Sequence, residues 1–173
     1  MALSKIQTGF VPTLVTGDLP SGTVIKTQSF DNTGNYISTT STSSVDLISV
    51  NYTPVLTGSK IIISGNCPGY HNNAATGVWS PARYLWIEIG GTIVATFEHP
   101  GPQNSVGEMA NVIPFHYTYT GGTAATQFTM VIRHQTVAGE PQAWQFGRQT
   151  NSGGSNGSAN SSILRGTIME IQS

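Results

Sequence analysis

The sequence predicts an all-β protein built as a single antiparallel β-sandwich. Short runs rich in β-branched and aromatic residues recur along the chain, and clusters of Gly, Pro, Asn and Ser separate them. This alternation is typical of sandwiches and barrels. Apolar residues at helical spacing are always interrupted by Gly, Pro or β-branched residues, so no helix of three turns is predicted. The length of 173 residues suits one domain, which we place at residues 21–173.

The first half of this domain predicts four strands. Residues 24–30 form a β-type run that ends in an Asp-Asn-Thr-Gly-Asn turn, and the Ser/Thr-rich residues 36–44 suit an edge strand. A third strand runs through 45–52. The continuous β-branched run at residues 60–64 indicates a strand covered on both faces. The Asn-, Gly- and Pro-rich residues 65–81 then predict a long loop.

The second half opens on the strongest local signal, a hairpin. Residues 84–89 and 92–97 are strand-like, and Gly90-Gly91 between them supplies the positive φ values that a two-residue turn needs. Gly121-Gly122 is a further turn candidate, and residues 98–111 include a second loop. Additional strands are predicted around residues 112–120, 128–132, 143–146 and 163–171. Residues 150–161 form a Ser/Gly/Asn-rich flexible loop.

Residues 1–20 differ from the rest because Gly and Pro interrupt their apolar positions. Proline fixes φ and lacks a donor, so neither a long helix nor a central strand is expected here. Two interpretations remain open: an extended N-terminal arm that attaches the protein to a particle, or a segment that wraps its own domain. The apolar positions are Ile6, Phe10, Val11, Leu14 and Val15.

The last predicted strand carries apolar residues on both faces. Ile163, Met169 and Ile171 share one face, and Leu164 and Ile168 share the other. One face should cover the core, and the other is predicted to meet a neighbouring subunit. A central strand covered by a loop is the alternative.

The low content of charged residues limits the classes of function that the protein can have. Charged residues make up 9% of the chain and the net charge is −1, whereas an average soluble protein has about 25% charged residues. Such a surface suits permanent self-association. The seven Lys and Arg residues are scattered along the chain and cannot form the continuous basic surface that binds nucleic-acid phosphates. No apolar run is long enough for membrane insertion. The first residues do not predict a secretion signal, and Cys67 alone permits no intrachain disulfide.

No residue pattern predicts catalysis or a cofactor. His71, His99, His116 and His134 show no metal-ligand spacing, although His116 and His134 could approach if their strands pair, and a trimer axis could gather one His per chain. A glycosidase needs two facing carboxylates, and of the eight acids only Glu98 with Glu108 suggests a spatial pair. Nucleophile-elbow, P-loop and dinucleotide motifs are absent from the sequence.

Aromatic residues near predicted loops are the candidates for surface recognition. Aromatic rings beside Asn and Gln can stack on sugar rings and hydrogen-bond to their hydroxyls. Alternatively, these rings close the ends of the sandwich. The candidate receptor-contact residues are Tyr70, His71, Trp79, Trp144 and Phe146.

The order of these segments resembles short virion structural proteins of marine and cyanobacterial phages. The similarity covers residues 22–173 and rests on Gly-Thr-Val-Ile-Lys-Thr-Gln at 22–28, a Ser/Thr-rich strand, Thr53-Pro54, and Ser-Lys-Ile-Ile-Ile at 59–63, followed by a Gly-Gly hairpin and the final strand from Arg165. Proteins of this group are often labelled tail-fibre proteins. The resemblance implies a virion protein with no catalytic residues, while loops 65–81 and 98–111 match no familiar pattern.

Together these observations predict a non-enzymatic, jelly-roll-like virion surface protein that forms a homotrimer. We expect a capsid decoration (cement) protein or a similar attached structural component, because no shaft or separate attachment domain precedes the sandwich. The alternative is a tail-fibre or appendage protein that contacts host surface glycans. A tail-associated glycosidase is a third possibility that lacks a visible acid pair.

Overall fold

The computed structural model describes residues 19–32, 37–39, 43–73, 83–99, 107–136, 144–146 and 164–173. Within these ranges the chain forms ten β-strands and no helix. The strands are β1 (Val24–Asp31), β2 (Ile37–Thr39), β3 (Val45–Tyr52), β4 (Lys60–Asn73), β5 (Arg83–Ile89), β6 (Thr92–His99), β7 (Gly107–Tyr119), β8 (Phe128–Thr136), β9 (Trp144–Phe146) and β10 (Arg165–Ile171).

The strands form two antiparallel sheets that share one core. In the first sheet β1 pairs with β10, β10 pairs with β4, and β7 lies along the other edge of β4. The short strands β9 and β2 extend this sheet beside the far half of β4. The second sheet has the order β3-β8-β5-β6. Both sheets interleave strands from the two halves of the chain, as in a jelly roll, so the predicted jelly-roll-like sandwich is confirmed.

Alternating positions of both sheets fill the space between them. Leu85 and Ile87 from the second sheet and Ile61, Ile63 and Ile168 from the first are fully buried. Removal of this apolar surface from water is the main driving force for folding. These positions are two residues apart along each strand because successive side chains of a strand point to opposite faces.

Two phenylalanines pack over two glycines at the middle of the first sheet. Phe30, Gly166, Gly65 and Phe115 lie opposite one another in a row across β1, β10, β4 and β7. Three strand spacings of about 4.8 Å separate the outer two backbones, yet the ring centroids are only 6.4 Å apart. The rings therefore lean over the glycines, which leave the space that side chains would otherwise occupy.

Side chains close the seam between β1 of the first sheet and β3 of the second. Lys26 Nζ donates to the Thr53 carbonyl at 2.8 Å, and Gln28 Nε2 donates to the Asn51 carbonyl at 3.2 Å. Asn32 Nδ2 donates to the Leu47 carbonyl at 3.1 Å. As the donors advance along the chain, the acceptors run backwards from Thr53, just after β3, to Leu47 within it. Because these bonds occupy backbone carbonyls along the edge strand β3, they limit its pairing with another chain.

The Gly-Gly hairpin prediction is confirmed, whereas the turn predicted at Gly121-Gly122 lies at Ala124-Ala125. Gly90 and Gly91 have φ of 58° and 85° and join the paired residues Ile89 and Thr92. Gly121-Gly122 makes no hairpin, because β7 and β8 belong to different sheets. A Cβ on Gly122 would lie 2.9 Å from Ile61 Cδ1. Close packing on the core, rather than turn geometry, explains this glycine.

The predicted loop at residues 65–81 is wrong over residues 65–73, which continue β4. Every residue of β4 from Ile61 to Asn73 has a partner on β7, which begins at Gly107 within the segment predicted to include a loop. Asn and Gly disfavour strands locally, and this long ladder with β7 overrides that preference. Cys67 lies in β4 and is fully buried.

The final strand, β10, is central, because it lies between β1 and β4. Leu164 and Ile168 face the core and are buried, while Met169 and Ile171 are partly buried. The described residues do not include Ile163, residues 1–18 of the predicted arm, or the low-complexity segment 150–161. In the part of the chain that the structure describes, no helix is long and apolar enough to cross a membrane.

The glycine row predicts that Gly65→Ala destabilises the fold. The added Cβ would lie 2.5 Å from Phe115 Cζ and 2.7 Å from the Gly166 Cα. Overpacking of this kind costs roughly 1–3 kcal/mol. Urea unfolding followed by tryptophan fluorescence measures the change. Ser64→Ala, one residue away on the outer face, is the control, and equal unfolding midpoints for the two variants would contradict the packing argument.

Candidate functional surfaces

Glu170 is the most heavily hydrogen-bonded carboxylate in the described structure. It occupies an inward position of β10, two residues after Ile168, and is fully buried. The amide of Leu56 donates to Oε1 at 2.8 Å, and the amide of Val55 lies 3.0 Å from Oε1 and 2.9 Å from Oε2. These donors belong to residues 53–59, which connect β3 to β4. Glu170 therefore fixes the corner where the chain passes between the sheets.

Two hydroxyl groups complete this site. Tyr52 Oη donates to Glu170 Oε2 at 3.2 Å. Ser59 Oγ lies 2.7 Å from Glu170 Oε1 and 2.9 Å from the Leu56 carbonyl; its single proton can serve one acceptor at a time. Lys26 Nζ lies 4.4 Å from the centre of the Tyr52 ring, a cation–π distance.

The surroundings of Glu170 favour its charged form. Burial raises the pKa of this carboxyl, but the donors from Val55, Leu56, Ser59 and Tyr52 outweigh burial and lower the pKa below 4.5. Burial and the nearby negative charge raise the pKa of Tyr52. A carboxylate that is ionised at neutral pH and inaccessible to substrate is poorly suited to general acid catalysis. We therefore assign Glu170 a structural role.

An ion-pair network lies on the outer face of the second sheet. Arg133 Nε is 2.6 Å from Asp46 Oδ1, and Arg133 Nη1 is 2.8 Å from Glu88 Oε2. Glu88 is only 9% exposed, so the ion pair with Arg133 offsets the cost of burying its carboxylate. Trp86 lies between Arg133 and Thr96 in the register of the sheet and is partly exposed.

The outer face of the first sheet is different because its central rows carry no charged residue. One row runs Thr27, Met169, Ile62 and Thr118, and the next runs Ser29, Thr167, Ser64 and His116. We call these eight residues the uncharged face. Charged residues border it at Lys60 on one side and at the opposed Asp31 and Arg165 on the other.

The structure brings together four of the five predicted aromatic contact residues at the level of the backbone. Tyr70 and His71 lie in β4 rather than in a loop, and β9 pairs with this part of β4. His71 is opposite Trp144, and Gly69 is opposite Phe146. Trp79 lies outside the described residues, as do the predicted attachment residues Ile6, Phe10, Val11, Leu14 and Val15.

The condition under which His116 and His134 could approach each other, pairing of their strands, is not met. β7 and β8 belong to different sheets, and His116 is exposed opposite Ser64 whereas His134 is fully buried opposite Leu85. Among the described residues, no group of three His, Cys, Asp or Glu side chains could hold a metal ion.

The suggested acid pair is likewise divided between sheets. Glu98 is opposite Tyr84 in the second sheet, and Glu108 is opposite Asn72 in the first. Strand register does not place these two acids across a cleft from each other.

Sequence reasoning missed Glu170, Arg133 and Trp86. The sequence signal for Glu170 was its position in the alternation of inward and outward residues along β10. It follows the core residue Ile168 by two positions and so lies on the same inward face, where side chains are normally apolar. The Trp86 signal was similar: it lies between the core residues Leu85 and Ile87 and so must face outward.

Comparison with known proteins identifies no family. No protein-family model and no curated protein matches the chain. A VP2 subviral particle of infectious bursal disease virus aligns over 99% of this chain and 37% of that chain, with 15% identity and a TM-score of 0.46. The T13 particle of the same virus aligns over 100% and 44%, with 12% identity and a TM-score of 0.44. This chain spans less than half of those chains, and the fold assignment rests on strand order.

Glu170→Gln is expected to destabilise the protein by roughly 1–3 kcal/mol at pH 7, because an amide offers one acceptor oxygen to donors that now share two. The lowered pKa means that the carboxylate contributes stability above about pH 4.5, lost as the pH falls through its folded pKa. Urea unfolding at pH 7 and at successively lower pH should therefore show the two proteins converging in acid.

Glu98→Gln is the matched control for this test, because Glu98 is exposed on β6. It should unfold like the wild type at pH 7. A Glu170→Gln protein as stable as the wild type at pH 7 would refute the anchoring role.

Proposed function

We propose that this chain is a non-enzymatic structural protein of the phage particle surface, assembled as a homotrimer and acting as a capsid decoration protein or a similar attached component. The observation that carries the proposal is the uncharged face of the first sheet. The order of sequence motifs over residues 22–173 supports the phage assignment, and the jelly-roll strand order is compatible with it.

The uncharged face has the composition expected of an interface. Charged residues are depleted at the centres of protein interfaces, and Met169 and Ile62 lie side by side here with Thr on either flank. The second sheet carries Asp46, Arg133 and Glu98 on its outer face. This difference favours the first sheet as the surface between subunits.

The proposed non-enzymatic role is supported by the placement of the acids. Glu170 is committed to the β3–β4 corner, and Glu88 is paired with Arg133. The chain has only eight Asp and Glu residues. Residues 1–20 remain the proposed attachment arm, whose apolar side chains would bind other virion proteins.

A tail-fibre or appendage protein that binds host glycans is the second candidate function. The pairing of β4 with β9 favours it, because the ladder places His71 opposite Trp144. Aromatic residues that this ladder places on neighbouring strands would supply the contacts to sugar rings.

Electron microscopy of virions labelled with an antibody to this protein separates the two locations. We expect label distributed over the head, as required for decoration. Label confined to the tail or its fibres would overturn decoration and favour host binding, and absence of label from purified virions would overturn the virion assignment itself.

Met169→Lys is predicted to dissociate the oligomer. The wild type should sediment as three copies of the 18.3 kDa chain. The variant should sediment as one copy, because burying the unpaired ammonium of the new Lys in an apolar contact is costly. Analytical ultracentrifugation at micromolar concentration measures both species. Ile93→Lys is the matched control, since Ile93 is 50% exposed on the second sheet; it should remain trimeric. A monomeric wild type would refute the trimer.

A further inference from the structure

An aromatic pair lies on the outer face of the second sheet. Tyr84 and Trp86 occupy outward positions of β5, because they alternate along the strand with Leu85 and Ile87, which are fully buried. Both rings are partly exposed. β5 is an interior strand with β8 on one side and β6 on the other. Two outward residues of one strand are separated by about 7 Å, so the rings offer adjacent positions in the middle of the sheet.

Polar side chains border this pair on both sides. On β6, Thr96 is opposite Trp86 and Glu98 is opposite Tyr84, and both are exposed. On β8, Arg133 is opposite Trp86 and Gln135 is opposite Tyr84. Aromatic surface thus lies along the centre of the face, with hydrogen-bonding groups at each flank.

Arg133 is held in place before any ligand arrives. Its guanidinium contacts Asp46 at 2.6 Å and Glu88 at 2.8 Å, from the neighbouring strands β3 and β5. A side chain fixed in this way loses little conformational freedom on binding, which lowers the entropic cost of recognition. The guanidinium has five N–H donors, and those not used by the two carboxylates can serve a ligand.

The charge of this face selects against anionic ligands. Among the described side chains of this face, the carboxylates of Asp46 and Glu88 contact the Arg133 guanidinium, and Glu98 adds a third carboxylate beside Tyr84. An acidic sugar or a phosphate would meet net negative charge. A neutral sugar would instead offer C–H groups to the electron-rich ring faces and hydroxyls to the flanking polar groups.

We propose that the outer face of the second sheet is a binding site for neutral glycans, with Trp86 and Tyr84 as the stacking surface. Arg133, Thr96 and Glu98 supply hydrogen bonds to sugar hydroxyls. The site goes beyond the proposed assembly role and does not depend on it. The uncharged face lies on the opposite side of the sandwich, so a trimer formed through it leaves this site open.

Affinity electrophoresis of the full chain tests the site. The gels contain the neutral polysaccharides dextran, galactomannan, laminarin or hydroxyethylcellulose, with alginate and heparin as anionic comparisons. We expect retardation in at least one neutral gel and none in the anionic gels. Trp86→Ala should weaken binding about tenfold, because it removes the largest apolar contact surface. Val24→Ala, 53% exposed on the first sheet and outside the uncharged face, should bind like the wild type.

Thr96→Arg is a second variant that tests the site even if Trp86→Ala fails to fold. This exposed residue lies beside Trp86, so a long side chain there should obstruct the ring while the core stays intact, and binding should fall with an unchanged melting temperature. Retardation in no neutral gel, or only in the anionic gels, would overturn the proposal. Dissociation of the oligomer by Trp86→Ala, measured by sedimentation, would instead identify this face as a subunit contact and overturn it too.

Discussion

The buried carboxylate of Glu170 is the interaction on which the arrangement of the two sheets most depends. It lies on a central strand of the first sheet and accepts hydrogen bonds from the segment that leaves β3 of the second sheet. A corner of this kind exposes backbone amides that need partners once they are buried. One charged side chain satisfies two amides and two hydroxyls together. The seam of side-chain hydrogen bonds from β1 to β3 continues from this corner along the same edge of the sandwich.

The two outer faces of the sandwich have different chemistry because their charges are unevenly distributed. Asp46, Arg133, Glu88 and Glu98 lie on the second sheet, while the central rows of the first sheet carry Ser, Thr and apolar side chains and one His. A protein with so few charges can remain soluble in an assembly if the uncharged surface is the one buried. The charged face would then remain in water, where its aromatic pair is accessible.

Much of the candidate site was beyond sequence reasoning because contacts, rather than residue types, define it. Tyr70, His71, Trp144 and Phe146 could be selected as aromatic candidates, but only the β4–β9 ladder places them together. His116 and His134 looked comparable, and the assignment of their strands to different sheets separated them. Asn66, Gly69 and Asn72 suggested a loop by local propensity, and pairing with β7 made them strand residues.

The sequence by itself determined the fold class, the hairpin at Gly90-Gly91, and the apolar character of both faces of β10. These properties follow from alternation, turn chemistry and local propensity, which act over a few neighbouring residues. Tertiary structure alone decided the strand order, the length of β4 and the partners of Glu170 and Arg133. It also decided why Gly65 and Gly166 are glycines, since only the register across four strands brings Phe30 and Phe115 over them. Such choices depend on residues far apart in the chain, and no local pattern records them.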